Sequence, residues 1–97
     1  MIDLCKERKI NVILLTMPVY HTYSENINEK KISKIFESCE ELEIANKNTF
    51  YLNYFYDKKF ELTDYFDEHH LSSEGALKMS NIINEELVKI QLNLLDQ

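Results

Sequence analysis

The residue types best suited to catalysis lie in one segment, residues 67–76, which reads Asp-Glu-His-His-Leu-Ser-Ser-Glu-Gly-Ala. Asp67 and His70 are three residues apart, and on a tight turn this spacing brings the carboxylate beside the imidazole of the same segment. A carboxylate placed there fixes the tautomer of the ring and stabilises its protonated form, so the other ring nitrogen can take a proton from a serine hydroxyl. The spacing therefore predicts a general base, His70, oriented by Asp67.

Two other interpretations of this segment are open. In one, Asp67 bonds backbone amides in the turn before a helix, and His70 packs against the core. The other is a site for zinc or a related ion, whose ligands would be Asp67, His69, His70 and His21. Adjacent histidines on one backbone rarely converge on one ion, and the chain has no HExxH or Cys-His spacing. We therefore expect no metal and no cofactor.

A second set of candidates, Tyr20, His21 and Tyr23, follows the first predicted strand. Open parallel sheets bind ligands at the carboxyl ends of their strands, so these side chains are candidates to line a substrate pocket. The alternative is an exposed aromatic loop, because nothing in their spacing requires chemistry.

The elements that must position these residues form a strand, helix, strand unit. Residues 10–16 are aliphatic and β-branched, which is typical of a strand buried on both faces of a parallel sheet, and Pro18 ends it. After a polar loop at 19–25, Asn26 is expected to cap a helix with Glu29 answering as in a capping box. The aromatic run 49–55 predicts a second, parallel strand.

Helical periodicity predicts which faces of the helices are buried. Residues 2–8 look like the tail of a helix. The apolar stripe of the middle helix consists of Ile32, Ile35, Phe36, Cys39 and Leu42. The final helix begins after Ser72 or Ser73, with Glu74 near the positive end of its dipole. Its buried face is expected to comprise Ala76, Met79, Ile82, Ile83, Leu87, Ile90 and Leu94.

Composition restricts the partners. The formal charge of −6, from 17 acidic and 11 basic residues, argues against nucleic acid, because phosphate binding needs clustered Lys and Arg. The longest apolar run, residues 10–18, is far shorter than the ~20 residues of a membrane span. No signal peptide is recognisable, so the compartment is cytoplasmic by default and exported if a signal lies upstream. Cys5 and Cys39 lack metal-site spacing and are expected to be reduced.

Two parallel strands do not make a complete sheet, because backbone groups at both outer edges need partners. We therefore expect residues 1–97 to form a single incomplete α/β domain. The missing strands would come from an upstream segment, from copies of the chain or from a partner.

Residues 67–76 resemble the last motif block of the SGNH (GDSL-like) hydrolases, Asp-x-x-His followed by Leu, a small capping residue and Gly-Ala. The residues that match in order are Asp67, His70, Leu71, Ser72, Gly75 and Ala76. The order of strand, long helix and second strand is also similar. The resemblance implies a flavodoxin-like three-layer α/β/α fold and ester or acyl hydrolysis, or acyl transfer, at a serine. His70 would be the base, Asp67 its orienting partner, and Ser72 the cap of the closing helix.

The chain departs from the family in one respect that limits its chemistry. Its only glycine is Gly75, so the Gly-Asp-Ser block with the nucleophile and the glycine-containing oxyanion-hole blocks have no counterpart. One missing oxyanion donor commonly costs a factor of ~10²–10³. Two hypotheses follow. In the first, the chain is the C-terminal segment of a serine esterase or acyltransferase, which is inactive alone and acts on a small-molecule or carbohydrate ester when completed. In the second, it is a non-catalytic α/β module that assembles through exposed strand edges, with a homo-oligomer possible.

Overall fold

The computed structural model describes residues 1–67 and 70–95. Its elements in chain order are α1 (Ile2–Glu7), β1 (Val12–Thr16), α2 (His21–Asn26), α3 (Glu29–Ala45), β2 (Thr49–Asn53), a 3-10 turn (Leu62–Asp64), β3 (Tyr65–Asp67), β4 (His70–Leu71) and α4 (Ser73–Leu95). The chain is a mixed α/β protein with a two-stranded parallel sheet and helices, which confirms the fold class at that level.

The parallel pair β1 and β2 is the central feature of the fold. Its register runs from Val12 opposite Thr49 to Thr16 opposite Asn53. Side chains also join the strands, since Thr16 Oγ1 lies 2.5 Å from the hydroxyl of Tyr51. The strands are shorter than the apolar runs predict. β2 ends at Asn53 because the side chain of this residue accepts the backbone N–H of Phe55 at 3.1 Å and turns the chain.

The segment between β1 and α3 differs from the prediction. Residues 19–25, expected as a loop, include most of the short helix α2. The expected cap, Asn26, is the last residue of that helix. Asn28 caps α3 instead, because its Oδ1 accepts the backbone N–H groups of Lys30 at 3.0 Å and Lys31 at 3.3 Å. An asparagine cap was predicted correctly, but its position was wrong by two residues, and Glu29 is the first residue of α3 rather than the partner in a capping box.

The helices bury only part of their predicted faces. On α3, Ile32 is buried and Phe36 packs edge-on against Phe55 at 5.6 Å, whereas Ile35 and Leu42 are exposed. On α4, Met79 is buried and Leu87 is exposed. A sheet of two strands covers a narrow strip, so apolar side chains beyond that strip have no strand of the described chain to pack against.

A second, small sheet was not predicted. β3 and β4 form an antiparallel hairpin in which Tyr65 is opposite Leu71 and Asp67 is opposite His70, with an irregularity between the two pairs. The 3-10 turn precedes this hairpin and α4 follows it. The predicted catalytic residues therefore lie on the hairpin, and the elements on either side of it determine their position.

Candidate active site

The base of the β3–β4 hairpin is closed by hydrogen bonds from Ser72. The backbone N–H of Ser72 donates to the carbonyl of Asp64 at 2.8 Å, and its hydroxyl donates to the carbonyl of Thr63 at 2.8 Å. The same hydroxyl oxygen accepts the N–H of Gly75 at 3.2 Å, so Ser72 also caps α4. One residue thus joins the 3-10 turn, the hairpin and the final helix. Between the two predicted cap candidates, the structure favours Ser72.

Asp67 and His70 are in contact across this hairpin. Nδ1 of His70 lies 2.9 Å from both carboxylate oxygens of Asp67, and the backbone N–H of His70 donates to Oδ1 at 2.8 Å. The proximity that the three-residue spacing predicts is therefore present. One feature of the alternative interpretation is present too, because Asp67 does accept a backbone amide. His70 does not pack into the core, since 63% of its side chain is exposed.

This contact is one that a base and its orienting acid would need, and a surface ion pair makes it too. Both side chains are well exposed, and a surface pair of this kind contributes only ~0–1 kcal/mol to stability. A carboxylate at Nδ1 holds the neutral ring in the tautomer whose proton lies on Nδ1, which makes Nε2 the basic nitrogen. The catalytic roles of Asp67 and His70 stay a prediction.

A cavity of about 360 Å³ lies where β1 and β2 end. Its walls include Tyr20 and His21, whose rings are 4.2 Å apart, and Tyr65, whose ring is 5.5 Å from that of Tyr20. Two of the three predicted pocket residues therefore line one cavity. Tyr23 lies on α2 with them but lines a different cavity, together with Asn28.

Sequence reasoning missed the opposite wall of this cavity, which consists of Tyr56, Asp57, Lys58, Phe60 and Tyr65. Tyr56 and Asp57 follow β2, so the rule that identified Tyr20 and His21 after β1 also applies to them. Phe60 and Tyr65 carried no such signal, because Phe60 lies in the irregular segment before the 3-10 turn and Tyr65 in the hairpin that the sequence pattern did not reveal.

The cavity is linked to the Asp67–His70 pair through Tyr65, which lines it, whereas Asp67 and His70 are not among its lining residues. Tyr65 precedes Asp67 by two residues, so their Cα atoms are at most ~7 Å apart. Burial raises the pKa of Tyr65, and the charges of Asp64 and Asp57 raise it further, so its phenol stays a neutral hydroxyl at physiological pH. The volume of about 360 Å³ suits a small ligand, since ligand pockets start at ~300 Å³.

Asp64, at the end of the 3-10 turn, is held by an ion pair that sequence reasoning did not identify. Its side chain is 6% exposed, and Oδ2 lies 2.5 Å from Nζ of Lys78 and 2.8 Å from the donating N–H of Glu61. Lys78 also donates to the carbonyl of Lys59 at 3.1 Å and lies over the ring of Phe60 at 5.5 Å. The ammonium of Lys78 lowers the pKa of the Asp64 carboxyl below its ordinary value of 3.8, and the N–H of Glu61 lowers it further.

The contribution of Asp64 to stability is expected to depend on pH. Because its pKa is lower in the folded chain than in the unfolded one, Asp64 stabilises the fold above pH 3.8 and loses this effect as the pH falls through the folded pKa. The urea midpoints of the wild type and Asp64→Asn should therefore differ at neutral pH and converge in acid. Asp3→Asn, at an exposed position of α1, controls for the loss of one negative charge. If the difference between the two urea midpoints stays constant as the pH falls, the pH-dependent stabilisation assigned to Asp64 is wrong.

No group of three or more His, Cys, Asp or Glu side chains within residues 1–67 and 70–95 is placed to hold a metal ion. His69, one of the candidate metal ligands, lies outside the described residues. No helix in the described part of the chain is long and apolar enough to cross a membrane. Cys5 and Cys39 are both free thiols.

Comparison with known proteins finds no family model, curated protein or solved structure that matches the chain. The fold and the candidate site therefore define a mixed α/β protein with a contacting Asp-His pair on a short hairpin and a cavity at the ends of two parallel strands.

Proposed function

We propose that this chain is the C-terminal part of an SGNH-type (GDSL-like) serine esterase, acyl hydrolase or acyltransferase domain with a flavodoxin-like three-layer arrangement. The observation that carries the proposal is the contact of Nδ1 of His70 with both carboxylate oxygens of Asp67, at 2.9 Å. His70 is the general base, and Asp67 orients its ring.

In the proposed reaction, Nε2 of His70 takes the hydroxyl proton of a serine as the serine oxygen attacks the acyl carbonyl. The resulting imidazolium, stabilised by Asp67, returns this proton to the leaving alkoxide. The serine comes from another segment or subunit, which also supplies the oxyanion donors. Ser24 lines the cavity, but its hydroxyl donates to the carbonyl of His21 at 3.0 Å within α2, an ordinary role for a helical serine.

The cavity at the ends of β1 and β2 is the proposed site for part of the substrate, a small-molecule or carbohydrate ester. Aromatic rings of Tyr20 and Tyr65 provide apolar walls, and His21 and Glu25 provide polar groups at the rim. Such a mixture of apolar walls and a few polar groups is typical of small-ligand pockets.

The test is the coding sequence directly before Met1 in the source genome. We expect an in-frame segment with a Gly-Asp-Ser block. The chain extended by that segment should hydrolyse p-nitrophenyl acetate or an O-acetylated sugar. His70→Ala should lower kcat by ~10²–10⁴, the range that a general base contributes. His21→Ala, the matched histidine variant at the cavity rim, should change KM far more than kcat. An extended chain that hydrolyses these esters equally well with Ala at position 70 contradicts the proposal.

The second candidate function is a non-catalytic module that assembles through strand edges. It is favoured by one observation: β1 and β2 pair only with each other among the described strands, so each has an outer edge, and Leu15 of β1 is 40% exposed. Sedimentation velocity of the 97-residue chain separates the candidates. A stable oligomer, together with an upstream sequence that has no Gly-Asp-Ser block, supports the module.

A further inference from the structure

We infer that Asp64 and Lys78 are positioning residues for the Asp67–His70 pair, acting through the base of the hairpin. The catalytic meaning of this inference rests on the proposed function. The expected effect of these residues on the position of His70 does not. Together with Ser72, these two residues form what we term the clamp: the ion pair between Asp64 and Lys78, and the bonds from Ser72 to the carbonyls of Thr63 and Asp64.

The hairpin needs such a clamp because it is too small to hold itself. β3 has three residues and β4 has two, with an irregularity between their two pairs. An isolated two-stranded hairpin is marginally stable at best, even when it is longer. The side chains of Asp67 and His70 are 44% and 63% exposed, so burial does little to fix them. The residues where the hairpin begins and ends are therefore expected to contribute to their position.

The clamp acts at these two points. Asp64 directly precedes β3, and Ser72 directly follows β4. The N–H of Ser72 donates to the carbonyl of Asp64 at 2.8 Å, which closes the hairpin into a short loop. Any displacement of Asp64 is therefore transmitted to both strands.

Lys78 connects the base of the hairpin to helix α4. Lys78 lies about one turn after Gly75 on α4. Its ammonium donates to the Asp64 carboxylate at 2.5 Å and to the Lys59 carbonyl at 3.1 Å. The segment from Lys59 to Asp64 is thereby tied to the same helix that Ser72 caps. Removing the ammonium leaves the Asp64 carboxylate buried without its charge partner, which strongly favours displacement of the turn.

The experiment compares Lys78→Met with Lys89→Met in the 97-residue chain. Lys89 is the matched control because it lies on the same helix and pairs with Glu86 at 3.4 Å on the surface. The readout is the tautomer of His70 in long-range ¹H–¹⁵N spectra, recorded about two pH units above the ordinary imidazole pKa of ~6.5. We expect a predominant Nδ1–H form in the wild type and Lys89→Met, and a mixture of both tautomers in Lys78→Met. Lys78→Arg, which keeps the charge, should restore the Nδ1–H form.

A folded Lys78→Met chain with the wild-type tautomer overturns the inference. If circular dichroism shows that this variant does not fold, Asp64→Asn decides instead, because it removes the charge of the ion pair without leaving a buried carboxylate unpaired. An unchanged tautomer there also overturns the inference.

Failure of the proposed function looks different from failure of the clamp. An extended chain without esterase activity, in which Lys78→Met still mixes the tautomers, refutes the function and keeps the clamp. Where the extended chain is active, Lys78→Met should lower kcat by ~10²-fold, as for a ~1 Å misplacement of a catalytic group, with little change in KM.

Discussion

Replacement of Asp67 by asparagine is expected to lower kcat of the completed hydrolase by ~10⁴-fold while the fold stays intact, as for the equivalent change in a serine protease triad. The hydrogen bonds of Asp67 determine this result. Oδ1 accepts the backbone N–H of His70 at 2.8 Å, and an amide nitrogen cannot accept that bond. The amide oxygen of the substituted side chain must therefore take this position, which places its NH₂ group where Oδ2 now lies, 2.9 Å from Nδ1. The carboxylate charge that holds the proton on Nδ1 is then gone, and the NH₂ donor competes with the amide oxygen, which also lies 2.9 Å from Nδ1. The ring proton therefore shifts towards Nε2, and the base accepts the serine proton less readily.

Two measurements check this result at different levels. In the 97-residue chain, ¹H–¹⁵N spectra of Asp67→Asn should show a shift of His70 from the Nδ1–H towards the Nε2–H tautomer. In the extended chain, kcat should fall with KM nearly unchanged. Glu43→Gln is the control, because Oε2 of Glu43 also accepts a backbone N–H, that of Tyr51 at 2.6 Å, without a histidine partner in the described contacts. A tautomer that does not change, or a kcat within about tenfold of the wild type, removes Asp67 from the orienting role.

The parallel strand pair was predictable because local and tertiary preferences agree there. Residues 10–16 are apolar and β-branched, and the structure pairs their second part with β2. The boundary errors have local causes. Asn26 and Asn28 are both good caps, and the sequence does not show that Asn26 instead donates its side-chain N–H to Thr22 at 2.6 Å at the end of a six-residue helix.

The hairpin and the clamp were not predictable in the same way. A period of two cannot be recognised in strands of three and two residues, and the residue before the hairpin is held by a remote contact between Asp64 and Lys78, 14 positions apart. The Asp67–His70 contact was predictable because both partners lie in one turn. The contribution of Phe60 and Tyr65 to the cavity was not predictable, because Tyr65 lies in the hairpin and Phe60 in the irregular segment before the 3-10 turn.

Replacement of Gly75 by alanine is expected to destabilise the protein by about 3 kcal/mol or more, although helix propensity alone predicts the opposite. Alanine is favoured over glycine in a helix by ~1 kcal/mol. A Cβ at position 75 would lie only 1.9 Å from the carbonyl oxygen of Asp64, a distance that the backbone must increase by about 1.5 Å or more to reach an ordinary contact. The same carbonyl accepts the N–H of Ser72 at 2.8 Å, so the movement breaks the bond that closes the hairpin.

Thermal unfolding distinguishes the steric effect from the propensity effect. Gly75→Ala should lower Tm by ~12 °C or more, since 1 kcal/mol corresponds to ~4–8 °C in a domain of this size. Ala76→Gly, at the exposed neighbouring position, is the control and should cost only the ~1 kcal/mol of helix propensity. A Gly75→Ala protein that is as stable as the wild type means that the 3-10 turn can move away from α4 without loss. The Asp67–His70 pair would then have to be positioned by something other than the close contact between Gly75 and Asp64.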